Sequence, residues 1–153
     1  MANCTIYEAD LDGMFEISFD DISEKALTEA TPILEETMRS AAAASVKHDG
    51  DSEMANSIRG SKPKKVVSTD CWIVNVGPRG YSTTKKYHGK RKSGKSKRTY
   101  PVSNALKAIW KEYGIPGHQP AMPFMQKATN AARGRVEAII EDAFNKEIEK
   151  YEL

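Results

Sequence analysis

Cysteine is nearly absent from this chain. Cys4 and Cys71 stand 67 residues apart, which gives neither a disulfide scaffold nor a metal-binding spacing. Long apolar runs are missing too, and none approaches the roughly 18 residues of a membrane span. The first ten residues, Met1 to Asp10, show no basic start followed by an apolar stretch, so no secretory signal is expected. His48, His88 and His118 are scattered and lack ligand spacing. G-x-S-x-G, H-E-x-x-H and C-x-x-C do not occur. These absences exclude a secreted mini-protein, a membrane-spanning protein, a collagen and a coiled-coil rod. They leave no cofactor and no metal to expect. With 153 residues, a single domain 1–153 is expected, since a chain of this size buries roughly 70% of its unfolded surface.

Acidic residues are missing from one window. None occurs between Asp70 and Glu112, where Arg79, Lys85, Lys86, Lys90, Arg91, Lys92, Lys95, Lys97, Arg98, Lys107 and Lys111 supply 11 positive charges. The remainder carries 12 positive and 21 negative charges. A basic surface element on an acidic body is expected, suited to a polyanion, an acidic partner or another copy of the chain.

Phe15, Ile17 and Phe19 alternate with Glu16 and Ser18, the period of a half-buried strand after the turn signal Asp12-Gly13. Asp20, Asp21 or Ser23 then caps a helix. Its apolar stripe is Ile22, Ala26, Ala30, Ile33/Leu34, Met38, Ala41 and Ser45/Val46, ending near Lys47. Pro32 either kinks this helix or opens a second one behind Thr31. His48 to Ser52 reads as a turn. Residues 62–68 and 71–76 read as two strands around Thr69-Asp70, the second stopped by Gly77-Pro78. Residues 79–99 have no hydrophobic period and read as a long exposed loop. Ser103 or Asn104 caps a short helix, Ala105 to Tyr113, ended by Gly114. A last helix runs from Phe124 to about Lys150, on a stripe of Met125, Ala128, Ala132, Val136, Ile139/Ile140, Ala143, Phe144, Ile148 and Tyr151. Gly134 weakens it by about 1 kcal/mol relative to Ala. The fold class is α+β. A small antiparallel sheet packs against a long N-terminal and a long C-terminal helix, and a long basic loop leaves it.

Gly89-Lys-Arg-Lys-Ser-Gly94-Lys95-Ser96 matches the phosphate-binding pattern G-x-x-x-x-G-K-[ST]. That chemistry needs a buried strand before the loop and a helix after it. The preceding residues are polar and Pro101 follows closely, so nucleotide binding is not expected. The basic loop has three readings: a solvated loop, a contact to nucleic-acid phosphates, or a contact to an acidic protein surface. Tyr81, Tyr87 and Tyr100 are too sparse for a base-stacking platform. Asp49-Gly50-Asp51 is no calcium loop, because Met54 and Gly60 stand where Gly and Glu are needed. Glu112 beside Tyr113 offers one carboxylate without a partner for acid–base work, and a structural role is expected of it.

Three segments, in this order, resemble one family. Asp51-Ser-Glu-Met-Ala-Asn-Ser57-Ile58 is similar to its TG-x-L-x-x-S-I, with Ser52 in place of Thr-Gly. Ala108-Ile-Trp110-Lys-Glu112-Tyr113-Gly114 is similar to A-x-aromatic-x-E-[FY]-G. Pro120-Ala-Met-Pro123-Phe124-Met-Gln-Lys-Ala128 is similar to P-A-x-P-F-[LM]-x-x-A. The family is the minor tail component, or tail-completion, proteins of long-tailed phages and prophages. The resemblance spans about residues 22–150. It implies a non-catalytic virion protein at the head–tail junction, in the host cytoplasm during assembly. Its implied partners are further copies in a ring, commonly six-fold, neighbouring connector and tail proteins, and packaged DNA, with no membrane. The matching residues Ser57, Ile58, Trp110, Glu112, Tyr113, Gly114, Pro120, Pro123 and Phe124 fall at scaffold positions. Trp110 and Tyr113 are expected to pack on the last helix. Contact with DNA or a partner falls to Lys85, Lys86, Lys90, Arg91, Lys92, Lys95, Lys97 and Arg98. The alternative is a small nucleic-acid-binding protein that uses the same basic segment.

Overall fold

The computed structural model describes residues 18–46, 49–90 and 97–150. The alternation at Phe15 and Ile17, the end of the last stripe at Tyr151, and the positions Arg91, Lys92 and Lys95 lie outside the described residues. The architecture is α+β: a long first helix, short antiparallel strands and a long last helix.

Helix α1 spans Phe19–Ala44. Phe19 is therefore helical rather than part of a strand, and Ser18 is the cap in place of Asp20, Asp21 or Ser23. The Ser18 hydroxyl accepts from the Asp21 N–H at 3.3 Å, and Asp20 and Asp21 place negative charge at the positive end of the helix dipole. The helix runs unbroken through Pro32. Thr31 does not cap a second helix; its hydroxyl donates back to the Leu27 carbonyl at 2.6 Å. Most of the expected stripe is the buried face: Ile22, Ala26, Ala30, Met38 and Ser45 are nearly inaccessible, Ile33 and Leu34 are half-buried, and Ala42 is buried in place of Ala41.

Helix α2, Asp49–Asn56, replaces the expected turn. Met54 and Ala55 are buried in the core, and that packing outweighs the turn preference of Asp49-Gly50-Asp51. Four short strands follow: β1 Ile58–Gly60, β2 Lys64–Val66, β3 Cys71–Ile73 and β4 Val76–Pro78. Antiparallel pairing joins β1 to β4 and β2 to β3. The Ser61 N–H donates to the Asn75 carbonyl at 2.8 Å between the two pairs, so the four strands make one interrupted hairpin. Gly77-Pro78 does not stop the second strand; it lies in β4, opposite Arg59 and Ile58. Asp70 makes the turn at φ +49°, a left-handed conformation that aspartate tolerates. Asp20 ties this hairpin to α1, accepting from Lys65 Nζ at 2.6 and 2.8 Å and from Trp72 Nε1 at 2.9 Å.

The expected loop 79–99 is largely strand. β5 spans Tyr81–Lys90 and β6 Lys97–Ser103. Paired positions run from Lys86↔Pro101 through Tyr87↔Tyr100 to Lys90↔Lys97. A ladder closes through backbone groups whatever the side-chain pattern, and the threonines and tyrosines here favour extended backbone. Between Tyr81 and Lys86 the register shifts, giving β5 three extra residues, a bulge at the base of the arm.

Helix α3, Asn104–Tyr113, is capped by the Ser103 hydroxyl, and Gly114 ends it at φ +76°. A Cβ at Gly114 would sit 2.7 Å from the Gln119 carbonyl oxygen and 2.8 Å from the Ala121 nitrogen. Helix α4 spans Phe124–Ile148 and lies along α1. Phe19 meets Phe144 at one end, ring centroids 6.4 Å apart. Met38 and Ala42 meet Phe124 and Ala128 at the other, in a core shared with Met54, Ala55, Ile58 and Ala108. The two helices are thus antiparallel, and small Ala side chains let them approach closely.

Candidate functional site: the foot of the basic hairpin

The β5–β6 arm stands on a polar foot at its bulge. Glu53, on α2, takes both sides of it. Its Oε2 accepts from the Ser82 hydroxyl at 2.7 Å. Its Oε1 accepts from the Thr83 N–H at 3.0 Å and also from the Thr83 hydroxyl. The bulge makes this possible, because Thr83 falls where the register slips, between Tyr81↔Ser103 and Lys86↔Pro101. Lys107, on α3, reaches the same point: Nζ donates to the Ser82 hydroxyl at 2.6 Å and lies 3.3 Å from Glu53 Oε2. Around the foot, the Asn104 N–H donates to the Gly80 carbonyl at 3.0 Å. The Asn104 amide donates to the Arg79 carbonyl at 2.9 Å, and the Arg79 N–H donates to the Ser57 carbonyl at 3.1 Å.

The hydroxyl and N–H of Thr83, the Ser82 hydroxyl and Lys107 hold the Glu53 carboxyl ionised, down to about 2 from an ordinary 4.5. A group so held has no proton to exchange near neutral pH. Its role is to fix Ser82 and Thr83, and with them the exit of β5. Lys90 is seven residue steps along the strand from Thr83, about 23 Å of extended chain beyond the foot.

Of the residues assigned to DNA or partner contact, Lys85, Lys86 and Lys90 lie on β5 and Lys97 and Arg98 on β6. The register sets Lys90 opposite Lys97 and Gly89 opposite Arg98, so one two-stranded ribbon gathers these five positions. Two lysines of the acid-free window belong to the interior instead. Lys107 and Lys111 are 3% and 4% exposed, and Lys111 Nζ donates to the Ser45 carbonyl at the end of α1. Gly89 is in a strand and Lys97 opens another, so the helix that a phosphate loop requires after Ser96 is absent.

Of the nine residues that carry the resemblance, Ile58 and Phe124 belong to the core and the others lie at helix ends, turns and the surface. Ile58 is fully buried and Phe124 nearly so, both in the cluster of Met54 and Ala108. The Ser57 hydroxyl donates to the Met54 carbonyl at 2.7 Å, closing α2. Pro123 is the residue before α4 and offers it no side-chain cap. Glu112 supplies one from α3, accepting from the Met125 N–H at 2.8 Å and the Gln126 N–H at 3.1 Å. Gly114 makes the turn, and Pro120 lies exposed in the link. Tyr113 does not pack on the last helix; it points to solvent, and Trp110 is only half-buried. The buried face of α3 is Asn104, Lys107, Ala108 and Lys111 instead.

Glu53, Ser82 and Thr83 have no signature in the sequence, because 29 and 30 residues separate the partners, and no local pattern signals such a pairing. Among the described residues, no group of three or more His, Cys, Asp and Glu side chains could hold a metal ion. No helix among them is long and apolar enough to cross a membrane. Comparison with protein-family models, with curated proteins and with solved structures finds no match.

Proposed function

We propose that this chain is a non-catalytic virion protein at the head–tail junction of a tailed phage or prophage, a tail-completion or neck component that joins the tail to the filled head. The observation that carries the reading is the basic β5–β6 arm, held at its foot by Glu53 and Lys107, on a body whose charge is otherwise acidic. An arm of this charge suits the phosphates of DNA in a channel, or an acidic neighbouring ring. The residues that carry the family resemblance support it differently. Ile58, Glu112, Gly114, Pro123 and Phe124 serve the scaffold, as expected of a protein whose motifs encode a shape rather than a reaction. Its partners in this reading are further copies in a ring and the connector and tail proteins on either side.

In-frame deletion of the gene from the genome that encodes it, followed by electron microscopy of the particles, tests the reading. DNA-filled heads and full-length tails that stay apart are the expected result. Joined, infectious particles overturn it. The same basic arm also favours a small nucleic-acid-binding protein. That reading requires tight, steeply salt-dependent DNA binding by the isolated chain, together with a deletion that leaves particles normal.

A further inference from the structure

The interrupted hairpin of β1 to β4 has two unlike sides. On the inner side Ile58 is fully buried, Val76 packs against the core, and a Cβ at Gly60 would collide with the Thr31 methyl on α1. Farther along, Lys65 and Trp72 reach in to Asp20 on the same helix. Side chains alternate across a strand, so Arg59 and Lys64 fall on the outer side. Arg79 falls there too, next after Pro78, and its N–H donates to the Ser57 carbonyl at 3.1 Å. All three cations are exposed. Gly77 stands opposite Arg59, and a Cβ there would meet open space.

The charge on this outer side is uncompensated. Among the described residues, no carboxylate forms an ion pair with Arg59, Lys64 or Arg79. Asp70, at the hairpin turn, is paired with Lys65 at 2.9 Å instead. Arg59 is also held in place. Its Nη1 donates to the Asn56 carbonyl at 3.0 Å and to the Ile58 carbonyl at 2.7 Å. These neutral acceptors fix the guanidinium without cancelling its charge, and a guanidinium has five N–H donors to offer. Arg79 lies two residues beyond Gly77, so it is the diagonal neighbour of Arg59, about 7–8 Å away between Cα atoms. The pair sits at the root of the basic arm: Gly80, at φ +73°, turns the chain between Arg79 and Tyr81, where β5 begins.

We propose that the outer side of this hairpin, through Arg59 and Arg79 with Lys64 beyond them, binds the phosphate backbone of duplex DNA and seats the body of the protein on it. The proposal rests on the DNA reading of the arm and adds a second contact, on the body, at the arm's root. Contacts to phosphate fix a protein's position on a duplex, and guanidinium groups take phosphate through paired N–H donors. The surface favours phosphate over a protein partner. A protein interface centres on a dry apolar patch, and the positions around Arg59 and Arg79 are Ser57, Gly77, Ser61 and Asn75. It favours a duplex backbone over single-stranded bases as well, because this stretch carries no aromatic ring on which bases could stack.

The test is fluorescence anisotropy of the full chain with duplex DNA over a salt series, with circular dichroism to establish that each variant folds. Arg59→Gln with Arg79→Gln removes the body contact. Lys127→Gln with Arg135→Gln removes the same charge from exposed positions on α4. Lys90→Gln with Lys97→Gln removes charge from the arm. Arg79→Gln alone stands in if the Arg59 and Arg79 pair does not fold, since the Arg79 side chain makes no bond among the described residues. The Arg59 and Arg79 variant is expected to lose about 1.8 from the slope of log affinity against log salt, about 0.9 for each phosphate left without its cation. The Lys127 and Arg135 variant is expected to keep the wild-type slope. A wild-type slope in the Arg59 and Arg79 variant, an equal loss in the α4 variant, or tighter binding to a single strand than to the duplex overturns the proposal. The DNA reading of the arm fails separately, when the Lys90 and Lys97 variant keeps the wild-type slope. A wild-type chain that binds no duplex at low salt overturns both, whatever the particles from the gene deletion show.

Discussion

Glu112 caps a helix to which it does not belong. Its carboxylate accepts hydrogen bonds from the backbone N–H groups of Met125, at 2.8 Å, and Gln126, at 3.1 Å, at the start of α4, where Pro123 offers no side chain for the purpose. The negative charge also faces the positive end of the helix dipole. One carboxylate thus fastens α3 to α4 across the Gly114 turn. Replacing Glu112 with Ala is expected to lower unfolding stability by about 1–2 kcal/mol, the range for removing a cap. Gln, which keeps one acceptor oxygen, is expected to lose less. Urea unfolding of the three chains measures this, and equal midpoints contradict it.

Gly114 is a backbone requirement in the same turn. At φ +76° a side chain is strained in itself, and a Cβ would lie 2.7 Å from the Gln119 oxygen. Gly114→Ala is therefore expected to destabilise by more than about 1 kcal/mol, against the gain that Gly→Ala gives at permissive sites. Thermal unfolding of the variant checks the direction; a raised midpoint would show that the turn relaxes freely.

The Glu53 foot has a defined pH signature. Its folded pKa, about 2, lies below the ordinary 4.5. The carboxylate's contribution to stability is therefore fully present above about pH 4.5 and is lost as pH falls from there toward 2. A Glu53→Gln chain lacks this contribution. The stability difference between wild type and Glu53→Gln is expected to be constant around neutral pH and to shrink steadily below about pH 4.5. Unfolding midpoints across that range decide it, and a difference that persists unchanged down to about pH 2 refutes the assigned role.

The basic arm makes a prediction in salt. If Lys85, Lys86, Lys90, Lys97 and Arg98 meet DNA phosphates, neutralising these side chains lowers the slope of log affinity against log salt by about 0.9 for each phosphate left without its cation. Fluorescence anisotropy with duplex DNA measures the slope. An unchanged slope overturns the DNA reading of the arm and leaves a protein surface or solvent.

The two long helices are legible in the sequence because their stripes are clear: Ile22, Ala26, Ala30 and Met38 on α1, and Ala128 and Ala132 on α4, are residues the fold buries, although Ile148 near the end of the α4 stripe is 40% exposed. The Ser103 cap and the Gly114 stop are legible as local chemistry. Helix α2 is not, since Met54 and Ala55 stabilise it from the core while Asp49-Gly50-Asp51 signal a turn. The β5–β6 arm is not, since its ladder is backbone pairing with no apolar alternation to reveal it. The rotation of α3 is concealed most deeply. Trp110 and Tyr113 have the spacing of core residues, but partners 25 to 66 residues distant in sequence draw Lys107 and Lys111 inside instead. Long-range polar contacts of this kind leave no periodic trace.

The most direct measurement is the position of the chain in the finished particle. A short epitope tag at the C-terminus, gold-labelled antibody and negative-stain imaging of purified virions would show it. A neck component predicts gold at the junction of head and tail. Gold elsewhere on the particle, or none on intact virions that assemble normally, contradicts that placement.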